Sequence, residues 1–114
     1  MDLFPDNIRS AWREKFAGRI KTLHRLFPNI KTEYVKRENG LFKTQFRVAS
    51  EEDQEIVDAV SYKMERESAR TCEECGKYGR RWEEHLPEKM CLCWQCHALV
   101  ASTLAEIESS TESD

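Results

Sequence analysis

Four of the five cysteines form two Cys-x2-Cys pairs within residues 71–97, TCEECGKYGRRWEEHLPEKMCLCWQCH. The pairs are Cys72/Cys75 and Cys93/Cys96, and 17 residues separate them. Two such turns held together offer four thiolates, which complete the tetrahedral shell of a structural Zn²⁺ at metal–sulfur distances of about 2.3 Å. The spacing therefore predicts one structural zinc ion on these four ligands.

Redox chemistry, an iron–sulfur cluster and zinc catalysis are the competing uses of such thiols. A redox Cys-x2-Cys follows a strand in a βαβ unit, and no such pattern precedes Cys72. An iron–sulfur cluster uses the same ligand set, so the sequence leaves it open. A catalytic zinc keeps one position for water, whereas four thiolates close the shell. We therefore expect a structural metal and no enzymatic activity, with Cys91 as a buried cysteine. His97 adjoins Cys96 and could replace it as a ligand, but we expect it beside the ligands or in solvent.

The segments CEECGKYGR and LCWQCH resemble the CxxCGxPGR and LCxxCH motifs of small zinc-ribbon proteins of phages and prophages. The likeness covers residues 72–97, with Tyr78 where that family usually has proline. It implies a zinc ribbon in a phage-encoded protein that docks on a host protein in the host cytoplasm, for example to inhibit a defence system. LCWQCH also resembles the end of HNH nucleases, in which a histidine at about the position of His85 is the general base. No asparagine lies between Cys75 and Cys93, so this second likeness implies a nuclease remnant as a minor alternative.

An amphipathic helix is predicted from Asp6, which would cap it, to Pro28, which would end it. Its apolar residues recur at intervals of three and four and form one stripe. The stripe consists of Ile8, Trp12, Phe16, Ile20, Leu23 and Phe27.

Asn39-Gly40 lies at the centre of an alternating segment and predicts a β-hairpin. We expect a three-residue loop, Glu38-Asn39-Gly40, with Gly40 left-handed, because this register separates apolar from basic side chains. The apolar face would carry Ile30, Thr32, Tyr34, Phe42, Thr44, Phe46 and Val48. The opposite, solvent-exposed face would carry Lys31, Arg37, Lys43 and Arg47.

Two further helices complete a predicted α+β fold. Ser50-Glu51-Glu52-Asp53 has the form of a capping box and opens a helix to about Ala69. Its stripe consists of Ile56, Val57, Val60 and Met64. The last helix runs from about Gln95 to Ile107, with Leu99, Val100, Leu104 and Ile107 on its buried side. The organisation is an α-β-β-α body (1–70), a zinc-binding ribbon plus helix packed on it (71–108) and a disordered acidic tail (109–114).

The formal net charge of −3 hides two halves of opposite charge. Residues 1–50 carry 11 Lys and Arg against 5 Asp and Glu, and residues 51–114 carry 7 against 16. Such opposed halves favour oriented docking on a protein or head-to-tail pairing of two copies, so a homodimer stays open. No segment approaches the roughly 20 apolar residues of a membrane span. An odd number of cysteines without a secretory signal favours a reducing cytoplasm.

The favoured function is a non-enzymatic, zinc-stapled small protein that binds another protein. The alternative is a small nucleic-acid-binding or regulatory protein that uses the basic hairpin face. The ribbon carries five basic and five acidic residues between Arg70 and Val100, so it is not expected to bind phosphates itself. Trp94 lies inside the second cysteine pair. We expect it to pack on the first two helices, and an exposed partner-binding anchor is the alternative.

Overall fold

The computed structural model of the chain describes residues 4–83 and 86–112, the last five of these by their backbone. Three helices and two antiparallel hairpins follow one another in the described part. They are α1 (Ser10–Leu26), β1 (Lys31–Glu38), β2 (Leu41–Arg47), α2 (Glu51–Ser68), β3 (Arg80–Trp82), β4 (Met90–Leu92) and α3 (Trp94–Glu112). This order confirms the predicted α+β class with a helix after the cysteine segment.

α1 begins at Ser10, four residues after the predicted cap. The residue before it is Arg9, which makes no side-chain cap, so the prediction that Asp6 caps the helix is wrong. The preceding residues form a turn instead, in which the Ile8 N–H donates to the Pro5 carbonyl at 3.1 Å. This turn allows the Ile8 side chain to be buried although the helix begins only at Ser10.

One apolar core joins α1, the first hairpin and α2. The predicted α1 stripe is buried at Ile8, Trp12, Phe16, Ile20 and Leu23, and Phe27 packs against it. Phe42 from β2 stacks on Phe16 with ring centroids 4.6 Å apart and meets the edge of Trp12 at 6.2 Å. From α2, Val57 and Met64 are fully buried. Ile56 departs from its predicted core position and stays about half exposed, because it faces a groove between α1 and α2.

The turn of the first hairpin has two residues. Glu38 pairs with Leu41, and Asn39 and Gly40 between them have φ values of 55° and 73°. Positive φ at both central positions is the type I′ geometry, whose twist matches that of the flanking strands. The predicted three-residue loop is therefore wrong, because Asn39 also adopts the left-handed conformation that the prediction reserved for Gly40.

A β-bulge restores the expected pairing at the far end of this hairpin. The register shifts between Thr32 and Tyr34, so that Thr32 lies opposite Phe46 while Tyr34 lies opposite Gln45. The half near the turn follows the two-residue turn, and the far half has the pairing that a three-residue loop would give. Tyr34 consequently leaves its predicted apolar face and is exposed.

Ser50 caps α2 as predicted, since its Oγ accepts a hydrogen bond from the Asp53 N–H at 3.3 Å. The opposite end of α2 passes directly into the cysteine segment. There the indole Nε1 of Trp12 donates to the Thr71 carbonyl at 2.8 Å, and the Phe42 N–H donates to Ser68 Oγ at 2.9 Å. The Trp12 bond thus joins the body to the cysteine segment, and the Phe42 bond holds the end of α2 to the first hairpin.

α3 is longer and less covered than the sequence predicts. It continues to Glu112 instead of ending at about Ile107, and no glycine or proline interrupts it there. It therefore includes part of the predicted disordered tail, and residues 113–114 lie outside the described residues. Leu99 and Ile107, which the sequence places on a buried side, are 68% and 57% exposed. α3 meets β4 near its own start, and the molecule measures 60 × 25 × 19 Å.

None of the helices in the described ranges, 4–83 and 86–112, combines the length and the apolar character needed to cross a bilayer.

Candidate metal centre

The four cysteines of the two Cys-x2-Cys pairs come together in space. Their sulfur atoms all lie within 4.8 Å of one another, and those of Cys75 and Cys93 are 3.6 Å apart. A tetrahedral shell with metal–sulfur bonds of about 2.3 Å places its sulfurs about 3.8 Å apart. The cluster thus has the dimensions of a four-thiolate site for one metal ion.

Each pair is held by its own backbone hydrogen bonds. In the first pair, the Cys72 N–H donates to the Lys77 carbonyl at 2.8 Å, and the Gly76 N–H donates to the Cys72 carbonyl at 2.9 Å. Gly76 has a φ of 79°, the left-handed conformation expected after the second thiol. In the second pair, the Cys96 N–H points at Cys93 Sγ at 3.4 Å. These bonds fix the direction of the thiols before any metal is considered.

The short hairpin of β3 and β4 brings the two pairs together. Its register runs from Arg80 opposite Leu92 to Trp82 opposite Met90. Just before β3, the backbones approach so closely that a Cβ on Gly79 would lie 2.8 Å from the carbonyl of Leu92. A side chain at this position would therefore push apart the two segments that carry the ligands.

Backbone hydrogen bonding and burial shift the pKa values of the thiols in opposite directions. The backbone N–H of Cys96 is the main cause that lowers the pKa of Cys93 to about 7. Burial, followed by the neighbouring thiols, raises the pKa of Cys96. Four thiolates at this separation repel one another, so full ionisation of the cluster needs a cation at its centre. Metal binding at this site would therefore release protons and weaken as the pH falls.

Cys91 is buried and stands outside the cluster, as the sequence predicts. It packs in the body core beside the residues of α1 and α2. Burial, with a contribution from the Glu73 carboxylate, raises the pKa of Cys91 to about 12. This thiol is therefore protonated at neutral pH and suits packing more than ligation.

A buried ion pair next to the metal ligands is the feature that sequence reasoning missed. Glu73, between Cys72 and its partner ligand, is fully buried, and its Oε1 lies 2.6 Å from Arg37 Nε. Its Oε2 accepts the backbone N–H of Cys91 at 2.8 Å. Arg37 also donates to the Lys89 carbonyl at 2.9 Å. The pair thus connects the first hairpin to both cysteine-bearing parts of residues 71–97, called the metal module below.

Arg37 therefore does not belong to the exposed basic face on which the sequence places it. Its side chain is only 6% exposed. The two-residue turn sets Arg37 opposite Phe42, on the side of the sheet that faces the core, whereas a three-residue loop would have turned it outward. In the sequence, only the length of the Asn39-Gly40 turn could have indicated that Arg37 faces the core.

The outer face of the hairpin carries mixed charge. Lys31, Lys43 and Arg47 lie on it, together with Lys36 and Tyr34. Glu38 forms ion pairs with Lys43 at 3.1 Å and with Lys36 at 3.2 Å. Glu33 pairs with Arg47 at 2.8 Å. Much of the predicted positive charge is thus compensated within the hairpin.

Trp82 forms the centre of a stack on one side of the metal module. The Arg80 guanidinium lies 3.8 Å from the centroid of its ring, and the His97 ring stacks on it with centroids 3.8 Å apart. The indole N–H donates to the Leu92 carbonyl at 2.8 Å. His97 therefore sits beside the ligands, as expected. His85, at the position of the nuclease base, lies outside the described residues.

Trp94 and Tyr78 are the exposed aromatic residues of this module. Trp94 is 72% exposed and Tyr78 is 80% exposed. The prediction that Trp94 packs on the first two helices is therefore wrong. Trp94 is the first residue of α3, and that helix packs mainly on β4.

Comparisons with protein-family models, with curated proteins and with solved structures gave no match for this chain. The likeness of residues 72–97 to phage zinc ribbons consequently stays a prediction. The assignment of a metal site rests on the positions of the four sulfur atoms.

Proposed function

We propose that this chain is a non-enzymatic, zinc-stapled binding protein that docks on another protein through the exposed end of its metal module. The observation that carries the proposal is the convergence of four thiols within 4.8 Å, next to two large exposed aromatic side chains. Zn²⁺ suits a tetrahedral set of four cysteines, and a closed shell leaves no position for water or substrate.

A bound metal ion would stabilise the β3–β4 hairpin in place of a larger apolar core. β3 and β4 have three residues each, and the small cluster around them contains two of the cysteine ligands as buried members. A two-stranded hairpin of this size is marginal on its own in water. Structural zinc contributes about 10–16 kcal/mol of apparent binding free energy at pH 7, which is ample to stabilise such a module.

Exposed aromatic residues on a rigid base favour protein recognition at this end. Trp94 is fixed between Cys93 and Cys96, so the backbone that presents its ring would be held by the metal. Tryptophan and tyrosine are enriched among the residues that dominate binding energy at protein interfaces. Because a rigid side chain loses little entropy on binding, Trp94 is well suited to anchor a partner.

The biological setting follows from the resemblance of residues 72–97. We place the chain in the host cytoplasm as a phage-encoded protein that binds a host protein, for example a component of a defence system. Five free thiols suit a reducing compartment. Nucleic-acid binding by the hairpin face has weaker support, because Arg37 is buried and Lys43 and Arg47 are paired with glutamates.

Metal analysis of the purified chain tests the first half of the proposal. We expect one zinc ion per chain, which is lost in Cys72→Ser and retained in Cys91→Ser, since only the former removes a ligand. Elemental analysis by mass spectrometry, with an absorption spectrum to detect iron–sulfur centres, is the measurement. Iron in place of zinc, or equal metal loss in both variants, would contradict it.

A paired substitution tests the second half. The immobilised chain, incubated with a bacterial lysate, is expected to retain a defined protein partner. Trp94→Ala should abolish that retention, whereas Tyr62→Ala, which removes another exposed aromatic residue far along α2, should preserve it. Both variants must keep their zinc. Equal retention of the partner by both variants would contradict the proposed docking surface. A salt-sensitive gel shift that Lys43→Glu and Arg47→Glu abolish would favour the nucleic-acid alternative.

A further inference from the structure

An apolar groove lies between α1 and α2 on the body of the molecule. Its volume is about 620 Å³, and both helices contribute apolar residues to its lining, among them Leu23, Leu26, Phe27, Ile56 and Val60. Leu26 is 60% exposed and Ile56 is 52% exposed. Two large aliphatic side chains of one groove thus meet solvent, and a binding partner would remove them from it.

The groove has the length of one anchoring stretch of helix. It extends along α1 from Gly18 to Phe27 and along α2 from Ile56 to Lys63. At about 1.5 Å of rise per residue, these stretches are about 14 Å and 11 Å long. A helix bound in an apolar groove places its anchors at positions i, i+3 or i+4, and i+7, which span about 11 Å. The dimensions therefore suit a bound helix.

Gly18 leaves room for a second backbone beside α1. It lies within that helix, where glycine is a poor helix former, and it lines the groove. A Cβ at this position would meet no heavy atom of the described chain within 4 Å. No contact in the described chain therefore requires glycine here, whereas the absence of a side chain allows an external helix to approach closely.

A basic pocket continues the groove at one end. Its volume is about 270 Å³, and Lys63 lines both the pocket and the groove. Arg66 and Arg70 line the pocket as well, together with Glu67, which pairs with Arg19 of the groove. Among the described residues that line either space, Glu67 is the only acid. This end therefore keeps a surplus of positive charge.

The opposite end of the groove has mixed charge. Arg19 of α1 meets Glu67 of α2 at the basic end. From there the groove follows α1 toward its last residue and α2 toward its first residue, so the two helices run antiparallel. The opposite end thus joins the basic last turn of α1 to the acidic first turn of α2. Positive charge is in surplus only at the end that holds Lys63.

We propose that the groove binds an amphipathic helix of a partner protein, and that the last turn of this helix carries acidic residues. Its apolar anchors cover Leu26, Ile56 and Val60, and its carboxylates meet Lys63 and Arg66. The carboxylates belong in the last turn because the carbonyl end of a helix also carries partial negative charge, which favours the basic end. This docking surface is separate from the one proposed at the metal module, and each can fail without the other.

Binding of a synthetic helical peptide to the full-length, metal-loaded chain tests the proposal. The probe has about 14 residues, enough to reach from Ile56 to Arg70, with leucines at i, i+4 and i+7 and glutamates in the following turn. Its fluorescence anisotropy should show saturable binding. Replacing the glutamates by glutamine, or the central leucine by serine, should weaken binding more than about tenfold. No saturable binding, or equal binding of the altered peptides, would overturn the proposal.

A charge exchange tests the basic end. Lys63→Glu should weaken binding of the acidic probe more than about tenfold, and a probe with lysines in place of its glutamates should bind this variant better than the parent chain. Lys21→Glu is the matched control, because it changes the net charge equally, and Lys21 is exposed on α1 without lining the groove. Equal weakening by both variants would contradict a contact at Lys63.

Gly18→Gln separates loss of binding from loss of the fold. Glutamine is a better helix former than glycine, and its Cβ has free space, so the helical signal and metal content should be retained. The longer side chain would nevertheless occupy the groove and weaken probe binding more than about tenfold. Unchanged affinity for the probe would contradict the proposed position of the bound helix.

A second copy of the chain is the alternative occupant of the groove. Sedimentation velocity of the metal-loaded chain without peptide distinguishes the two occupants. We expect no self-association that Gly18→Gln reduces. A dimer that this substitution abolishes would assign the groove to a second copy and overturn the proposal.

Discussion

Between Cys72 and Cys75, two of the four candidate metal ligands, the buried Glu73 carboxylate contacts Arg37. Arg37→Ala would leave this carboxylate buried and uncompensated, which costs about 3–5 kcal/mol. We expect the free energy of unfolding of the metal-loaded chain, measured in urea, to fall by that amount. Lys43→Ala is the control, because its ion pair with Glu38 is more exposed and is worth about 0–1 kcal/mol. Equal losses of unfolding free energy in the two variants would show that the buried Arg37–Glu73 pair stabilises the fold no more than the exposed pair does.

At the residue scale, the convergence of the four cysteines was predictable from the sequence, and the buried pair beside them was not. The spacing of the four cysteines identifies them because two tight turns are a local property of the sequence. The Arg37–Glu73 pair joins residues 36 positions apart, and it forms only when the hairpin turn has two residues. A difference of one residue in that turn decides whether Arg37 faces solvent or the metal module, and the sequence pattern favoured the wrong side.

At the scale of elements, the approach of β3 to β4 depends on Gly79. Gly79→Ala would place a Cβ 2.8 Å from the Leu92 carbonyl and separate the two cysteine pairs. We expect a lower unfolding temperature and at least a tenfold loss of zinc affinity (about 1.4 kcal/mol), measured by competition with a chelator.

Gly18→Ala is the control for this substitution. Its Cβ meets nothing within 4 Å in its own chain, and alanine should stabilise the helix by about 0.5–1 kcal/mol without changing zinc affinity. Unchanged zinc affinity in Gly79→Ala would mean that the hairpin can shift to accept the methyl group. The close approach would then not be what positions the ligands.

The elements themselves were largely predictable, and their boundaries and orientations were less so. The α1 stripe and the Ser50 cap follow local rules of periodicity and hydrogen bonding, and both are present. In the first hairpin, Asn-Gly favours a two-residue turn while the apolar pattern favours a three-residue loop. The bulge between Thr32 and Tyr34 lets the strands follow the two-residue turn near the loop and the apolar pattern at the far end. Neither rule alone predicts this change of register. The exposure of Leu99 and Ile107 depends on how little of the described chain covers α3, which the sequence of that helix does not reveal.

For the whole molecule, removal of the metal should loosen one part before the other. The body has its own core, whereas the cluster around β3 and β4 is small and includes metal ligands. We expect a chelator to abolish amide hydrogen-exchange protection in residues 72–97 while α1 and the first hairpin keep most of theirs. Acidification should cause the same loss of hydrogen-exchange protection, because protons compete with the metal for the thiolates and displace it. Simultaneous, complete loss of protection in both parts would show a single cooperative unit.

The three tryptophans occupy three different surroundings. Trp12 is sealed in the core and hydrogen-bonded to Thr71, Trp82 lies between a guanidinium and an imidazole, and Trp94 meets water. A sealed indole emits at shorter wavelengths than a hydrated one, and only the hydrated one is reached by dissolved quenchers. The chain thus carries built-in optical reporters of its core, its metal module and its outer surface. Chains that keep one tryptophan at a time would follow each region separately by the colour of its emission.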